Sequence, residues 1–169
     1  FIIYLLPISE SVTALTGGLV QMISHGFGSG ALFLAFGLLY ARYHTRLIED
    51  FGGVAQTMPY FSDIFELFAL SNVGLPGTAG IVGDFMVIVS SFAGSAWVAA
   101  LAALTVILGA GYTLNMVRRV FYGPITTEGV KGLKDLEGAE WSGLLALAVA
   151  ILVLGVNPAW LIKPMQGSI

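Results

Sequence analysis

Of the chain's 169 residues 57% are hydrophobic and only 10% charged, less than half the charge of soluble domains, which run to roughly 25%. The formal net charge of −3 is small and scattered, leaving neither a basic footprint for nucleic acid nor an acidic tail. There is no cysteine, which excludes disulfides and iron–sulfur ligation on this chain and sends any electron-transfer centre elsewhere. The composition is that of a polytopic membrane protein, an all-α transmembrane helix bundle read as one domain over residues 1–169.

The opening run Phe1-Ile2-Ile3-Tyr4-Leu5-Leu6 is too short to span a bilayer or to act as a signal core. It reads as the end of a helix whose beginning lies on a longer chain. A polar turn is expected around Ser9-Glu10-Ser11, and then a first span over about residues 17–41. This span carries Gln21, His25 and Ser29 at i, i+4 and i+8, one polar stripe on an apolar surface. It ends in Arg42-Tyr43-His44-Thr45-Arg46, the aromatic and basic residues of a membrane–water boundary.

The second span runs over about residues 62–93, with Leu75-Pro76-Gly77 in its middle. An unbroken helix of that length would reach on the order of 45 Å, too long for the hydrocarbon core without a break. Pro76 removes an amide donor, and Gly77 and Gly80 permit dihedrals that a helix does not use, so the break is expected near residues 75–80. Asp84 follows it, a carboxylate at membrane depth. A third span covers about residues 96–122, with Thr105, Tyr112, Thr113 and Asn115, and closes on Arg118-Arg119. A polar loop over 123–140 leads to a fourth span over about 141–157, stopped by Asn157-Pro158, with Trp160 placed to anchor at an interface.

Charge placement agrees with this segmentation. Arg42, Arg46, Arg118, Arg119, Lys131 and Lys134, six of the seven basic residues, fall on one side, which is the cytoplasmic or matrix side by the positive-inside rule. His25 and Asp84 then both lie about 12 Å from the opposite surface, each roughly eight residues from a helix end. Two ionisable groups share one level.

An intramembrane carboxylate beside a broken helix is by default a transport candidate, because the charge is costly and the break frees backbone groups to line a polar path. A carboxylate that only caps the freed amides is the plainer reading of Asp84, and the cost of the charge favours transport. For His25, a proton relay and a merely hydrogen-bonded imidazole weigh equally. Ser29, Tyr112, Thr113 and Asn115 could hold a water wire, although hydroxyls and amides in membrane helices more often join helices together. Glu66, early in the broken helix, reads as an interface residue, and the arginines as topology and headgroup anchors. Gly26-Phe27-Gly28-Ser29-Gly30 is not a nucleophile elbow, which would need glycines at positions 27 and 31. No phosphate-binding loop is present, and His25 and His44, 19 residues apart, do not make a metal site.

Met22-Ile23-Ser24-His25-Gly26, Ala31-Leu32-Phe33-Leu34, Leu39-Tyr40-x-Arg42-x-His44-Thr45-Arg46, Gly52-Gly53, Met58-Pro59, Leu75-Pro76-Gly77-Thr78 and Gly83-Asp84-Phe85 together resemble the antiporter-like subunits of respiratory NADH:ubiquinone oxidoreductase, complex I. Within that family the similarity is to chain 4 and its bacterial M-type counterpart. The resemblance implies the C-terminal third of such a subunit, supplying most of the second of two inverted helical repeats. It implies a proton path with Asp84 and His25 in it, next to the helix break at Leu75, Pro76 and Gly77; Ser29 and Tyr112 are placed on that path as residues able to hold its water. NADH, FMN, iron–sulfur clusters and ubiquinone would sit on other subunits, with no cofactor and no metal on this chain. The implied partners are other membrane-arm subunits, the N-terminal part of the same subunit and the bilayer. The implied membrane is the mitochondrial inner membrane or the bacterial plasma membrane. Two departures stand out. The family's acid is usually glutamate where Asp84 stands, and the related chain 5 and multisubunit cation/proton antiporters carry lysine at that position and where Ser29 stands. A cation/proton antiporter subunit and a purely structural membrane scaffold are the competing readings.

Overall fold

Apolar segments in lipid must satisfy their amides internally, and every long apolar run of this chain does so as a helix. The computed structural model describes residues 8–166. In chain order it has α1 (Ile8–Tyr43), a 3-10 turn (Ile48–Asp50), α2 (Val54–Thr57), α3 (Pro59–Asn72) and α4 (Ala79–Gly94). Then follow α5 (Ala96–Phe121), α6 (Glu128–Lys131), α7 (Gly138–Val156) and α8 (Ala159–Gln166). There is no strand among the described residues.

Helices α1, α5 and α7 are each long and apolar enough to cross a membrane. The first helix starts earlier than its sequence suggests, since Ser9-Glu10 are already helical. No glycine or proline stands between Pro7 and Gly17 to stop it, and serine and glutamate are tolerated in a first turn. Apolar side chains line the outside, among them Phe33, Trp97, Leu101, Ile107 and Leu108. This is the pattern of helices surrounded by lipid or by other membrane helices.

The second span is two helices, α3 and α4, joined through residues 73–78. Gly74 and Gly77 hold φ of +84° and +89°, left-handed values that strain any side chain bearing a Cβ. Backbone bonds inside the break run from the Leu75 amide to the Leu70 carbonyl at 3.0 Å and from the Thr78 amide to the Leu75 carbonyl at 3.1 Å. The Thr78 hydroxyl also donates to the Leu75 carbonyl, at 2.7 Å. Thr78 is buried, whereas Leu75, Pro76 and Gly77 face outward. Two glycines let neighbours touch the break. A Cβ on Gly80 would lie 2.0 Å from the Ser71 carbonyl oxygen, and one on Gly155 of α7 would lie 2.2 Å from the Thr78 carbonyl carbon.

The basic end is closed by a small core and a network of hydrogen bonds. Phe61, Phe65 and Phe121 stack with ring centroids 4.7–6.0 Å apart, over buried Val54, Met58 and Phe68. At the start of α3, Pro59 has no amide hydrogen, and Tyr60 and Phe61 donate to the two carboxylate oxygens of Asp135 at 2.9 and 3.0 Å. The Ser62 amide donates to the Met58 carbonyl, so each first-turn donor has an acceptor. Asp135 is therefore a remote cap, delivered by the loop between α6 and α7.

Arg42 is an inward clamp, contrary to its reading as a headgroup anchor. It donates to the Lys134 and Leu38 carbonyls, each at 3.1 Å, and pairs with Glu140. Arg46 lies over the Tyr40 ring, 5.1 Å from its centroid, whereas Arg118 and Arg119 are exposed. Glu66 accepts the Tyr122 hydroxyl at 2.5 Å.

Asp135→Ala leaves two helix-end donors without their acceptor. It is expected to destabilise the protein by about 1–2 kcal/mol, read as a lowered melting temperature of the detergent-solubilised protein.

Candidate functional site: a polar cavity between three helices

Gln21 of the α1 stripe lies against α4 because the two backbones touch. A Cβ on Gly83 would lie 2.6 Å from Gln21, and one on Gly17 would lie 2.7 Å from the Met86 Cβ. Only glycine fits at either place, and the next residue after Gly83 is Asp84. The carboxylate thus enters at the level of the α1 stripe.

A cavity of about 400 Å³ opens there between α1, α4 and α5. Gln21 and His25 line it from α1, Asp84 from α4 and Thr105 from α5, with Val87, Ile88 and Val106 as apolar wall. Asp84 is half-buried and shares this cavity with His25. Thr105 donates its hydroxyl hydrogen to the Ala102 carbonyl at 2.7 Å, which leaves its oxygen free to accept. Thr105 carried no signal of its own in the sequence, because one threonine in an apolar helix is ordinary.

Two further cavities continue from this one. His25 also borders a space of about 390 Å³ with Ser29, Asn72, Phe65 and Met116. Asp84 also borders one of about 230 Å³ with Gly74, Ile81, Phe85 and Val106. His25 is common to the first and second spaces, and Asp84, Ile88 and Val106 to the first and third; the outer spaces touch Asn72, the last residue of α3, and Gly74 of the break. Asn72 is a further polar group that sequence reasoning did not single out.

The other expected residues fall differently. Ser29 shares a cavity with His25, but its hydroxyl donates to the His25 carbonyl at 2.5 Å, a bond internal to the helix. Tyr112 lies on α5 about two turns beyond Thr105, is 70% exposed and lines none of these three cavities. Leu75, Pro76 and Gly77 form the break itself and do not line them either. Among the described residues, no three His, Asp or Glu side chains converge as a metal site.

Residues 2–109 match the family described as NADH:quinone oxidoreductase/Mrp antiporter, transmembrane. The chain belongs to this family. It is 44% identical over 143 residues, or 85% of its length, to NADH-quinone oxidoreductase subunit M of Rhodobacter capsulatus. To NADH-ubiquinone oxidoreductase chain 4 of Arabidopsis thaliana it is 39% identical over 161 residues, or 95% of its length. It spans 28% of the first of these relatives and 32% of the second. Among solved structures, a chain of respiratory complex I from Thermus thermophilus matches with a TM-score of 0.86 and 34% identity, over 99% of this chain and 36% of that one. A chain of the Mrp complex from Dietzia matches with a TM-score of 0.75 and 25% identity, over 88% and 36%. This member of the NADH:quinone oxidoreductase/Mrp antiporter family is an integral membrane protein, with the antiporter-like helical fold and the broken helix in place.

Gly83→Ala forces a methyl group into the α1 backbone. It is expected to cost about 1–3 kcal/mol and to lower the amount of folded protein recovered from membranes. Gly30→Ala, whose added methyl group meets nothing within 4 Å, is expected to leave that amount unchanged.

Proposed function

We propose that this chain carries part of the proton path in the membrane arm of an NADH:quinone oxidoreductase. The observation that carries the reading is that Asp84 and His25 line one cavity with largely apolar walls, in a chain of this family. A carboxyl group can hold a proton and release it to water. An imidazole that borders two cavities can accept a proton at one ring nitrogen and release one from the other. The polar groups facing both spaces, Gln21, Thr105, Ser29 and Asn72, are hydrogen-bonding groups suited to water. In this reading the chain acts as one part of a proton-translocating enzyme. NADH, FMN, iron–sulfur clusters and ubiquinone are held by other subunits, and quinone reduction there drives the protons here.

The partners are the other membrane-arm subunits, the remaining part of the same subunit, and lipid. Tyr112, exposed on α5, joins the path only where such a partner covers it. The membrane is the mitochondrial inner membrane or the bacterial plasma membrane, since the matched relatives come from both plants and bacteria. A cation/proton antiporter is the second reading, favoured by the likeness to the Mrp complex chain.

In the assembled complex, Asp84→Asn is expected to lower proton pumping by about tenfold or more, with the complex still assembled on a native gel. Asp84→Glu, which keeps the acid, is expected to retain pumping. Normal pumping by the Asn variant overturns the proton-path role, and transport that depends on sodium establishes the antiporter instead.

A further inference from the structure

At the basic end a separate cavity of about 280 Å³ lies between α1, α3, α5 and the 3-10 turn, and its wall is apolar except for Arg46. Phe36, Phe65 and Met116 stand at its inner end, where they also border the space that His25 lines. Ile48 and Phe51 stand at the outer end, beside Arg46. Phe36 lies about two turns before Tyr43, the last residue of α1, so the cavity reaches about 10 Å inward from the membrane boundary. Water finds no partners on an apolar wall, and such a space takes an apolar guest instead.

Arg46 has charge to spare. Its guanidinium lies over the Tyr40 ring, 5.1 Å from the centroid, and it forms no ion pair among the described residues. Of the carboxylates near it in sequence, Asp50 accepts the Thr45 hydroxyl and Glu49 is exposed. A guanidinium presents its donors in a fork that matches phosphate oxygens, and basic pockets between membrane helices retain anionic headgroups on this side of a bilayer. We propose that the cavity holds one acyl chain of an anionic phospholipid whose phosphate is bound by Arg46. The wall selects the hydrocarbon and the guanidinium selects the charge, so neither a free phosphate nor a neutral lipid satisfies both. This site is independent of the proton-path reading.

The test reconstitutes the assembled complex in phosphatidylcholine vesicles that carry a trace of phosphatidylglycerol with a photoactivatable diazirine on one acyl chain. Labelled peptides are then mapped by mass spectrometry. Label is expected on the peptides containing Phe36, Phe65 and Met116, and in excess of the label left by a phosphatidylcholine probe with the same chain. In Arg46→Gln the label from phosphatidylglycerol is expected to fall about tenfold, the loss of a charge-assisted hydrogen bond. Absence of label on these peptides means that protein covers the cavity, and it overturns the proposal. Equal labelling by the two headgroups, or undiminished label in Arg46→Gln, overturns it as well. If Arg46→Gln does not assemble, the comparison of the two headgroups on the unaltered complex decides.

Discussion

Backbone contact between α1 and α4, possible only because Gly17 and Gly83 lack side chains, sets the distance at which His25 and Asp84 face each other. In a membrane no hydrophobic effect drives helices together, and close packing at small residues takes its place. Here that packing does more than hold the bundle. Asp84 follows Gly83 directly, so the glycine that permits the contact also fixes the level of the carboxylate. With any larger residue at position 83 the acid would stand back from the histidine, and the cavity between them would lose its shape.

The broken helix depends on the same device. An interruption in lipid leaves backbone groups without partners, and here the amides of Val73, Gly74, Leu75 and Thr78 find acceptors within residues 69–78. The Thr78 end of the break is buried against its neighbours, while Leu75, Pro76 and Gly77 face outward. Gly80 lets the start of α4 cross the last turn of α3, and Gly155 lets α7 lie on the Thr78 backbone. At the Thr78 end, polar backbone is covered by protein, as the energetics of unpaired amides in hydrocarbon favour. Asn72, at the end of α3, borders a cavity that His25 also lines, and Gly74 of the break borders one that Asp84 lines.

The basic end ties these helices to the loops. Asp135 caps α3 from the far side of the sequence, and Arg42 joins the end of α1 to the start of α7 through Glu140 and the Lys134 carbonyl. A glycine again permits the approach, because a Cβ on Gly129 would lie 2.1 Å from the Tyr43 ring. Two helices are thereby fixed to one frame: α1, which carries His25, and α3, which leads into the break before Asp84.

Much of this was legible in one dimension. Helix interruption at Leu75-Pro76-Gly77 follows from proline geometry and glycine dihedrals, which are local properties. The polar stripe of Gln21, His25 and Ser29 follows from helical periodicity, and the cost of a charge in lipid marks Asp84 whatever its neighbours are. The basic residues fall on one side for an equally local reason, the spacing of spans.

What the sequence by itself determined, then, is the helical class, the membrane setting, the place of the break and the two ionisable groups at one depth. Tertiary structure alone decided which polar groups meet. Thr105 faces the cavity and Tyr112 does not, although both are polar residues of the same helix. Arg42 turns inward while Arg118 and Arg119 stay out, because a carboxylate and a carbonyl nearly a hundred residues away happen to be within its reach. Asp135 becomes a cap and Gln21 a cavity residue only once remote backbones are placed against them. Periodicity reports which face of a helix a residue occupies, but the identity of the neighbour on that face is a non-local fact, set here by glycines that let particular backbones touch.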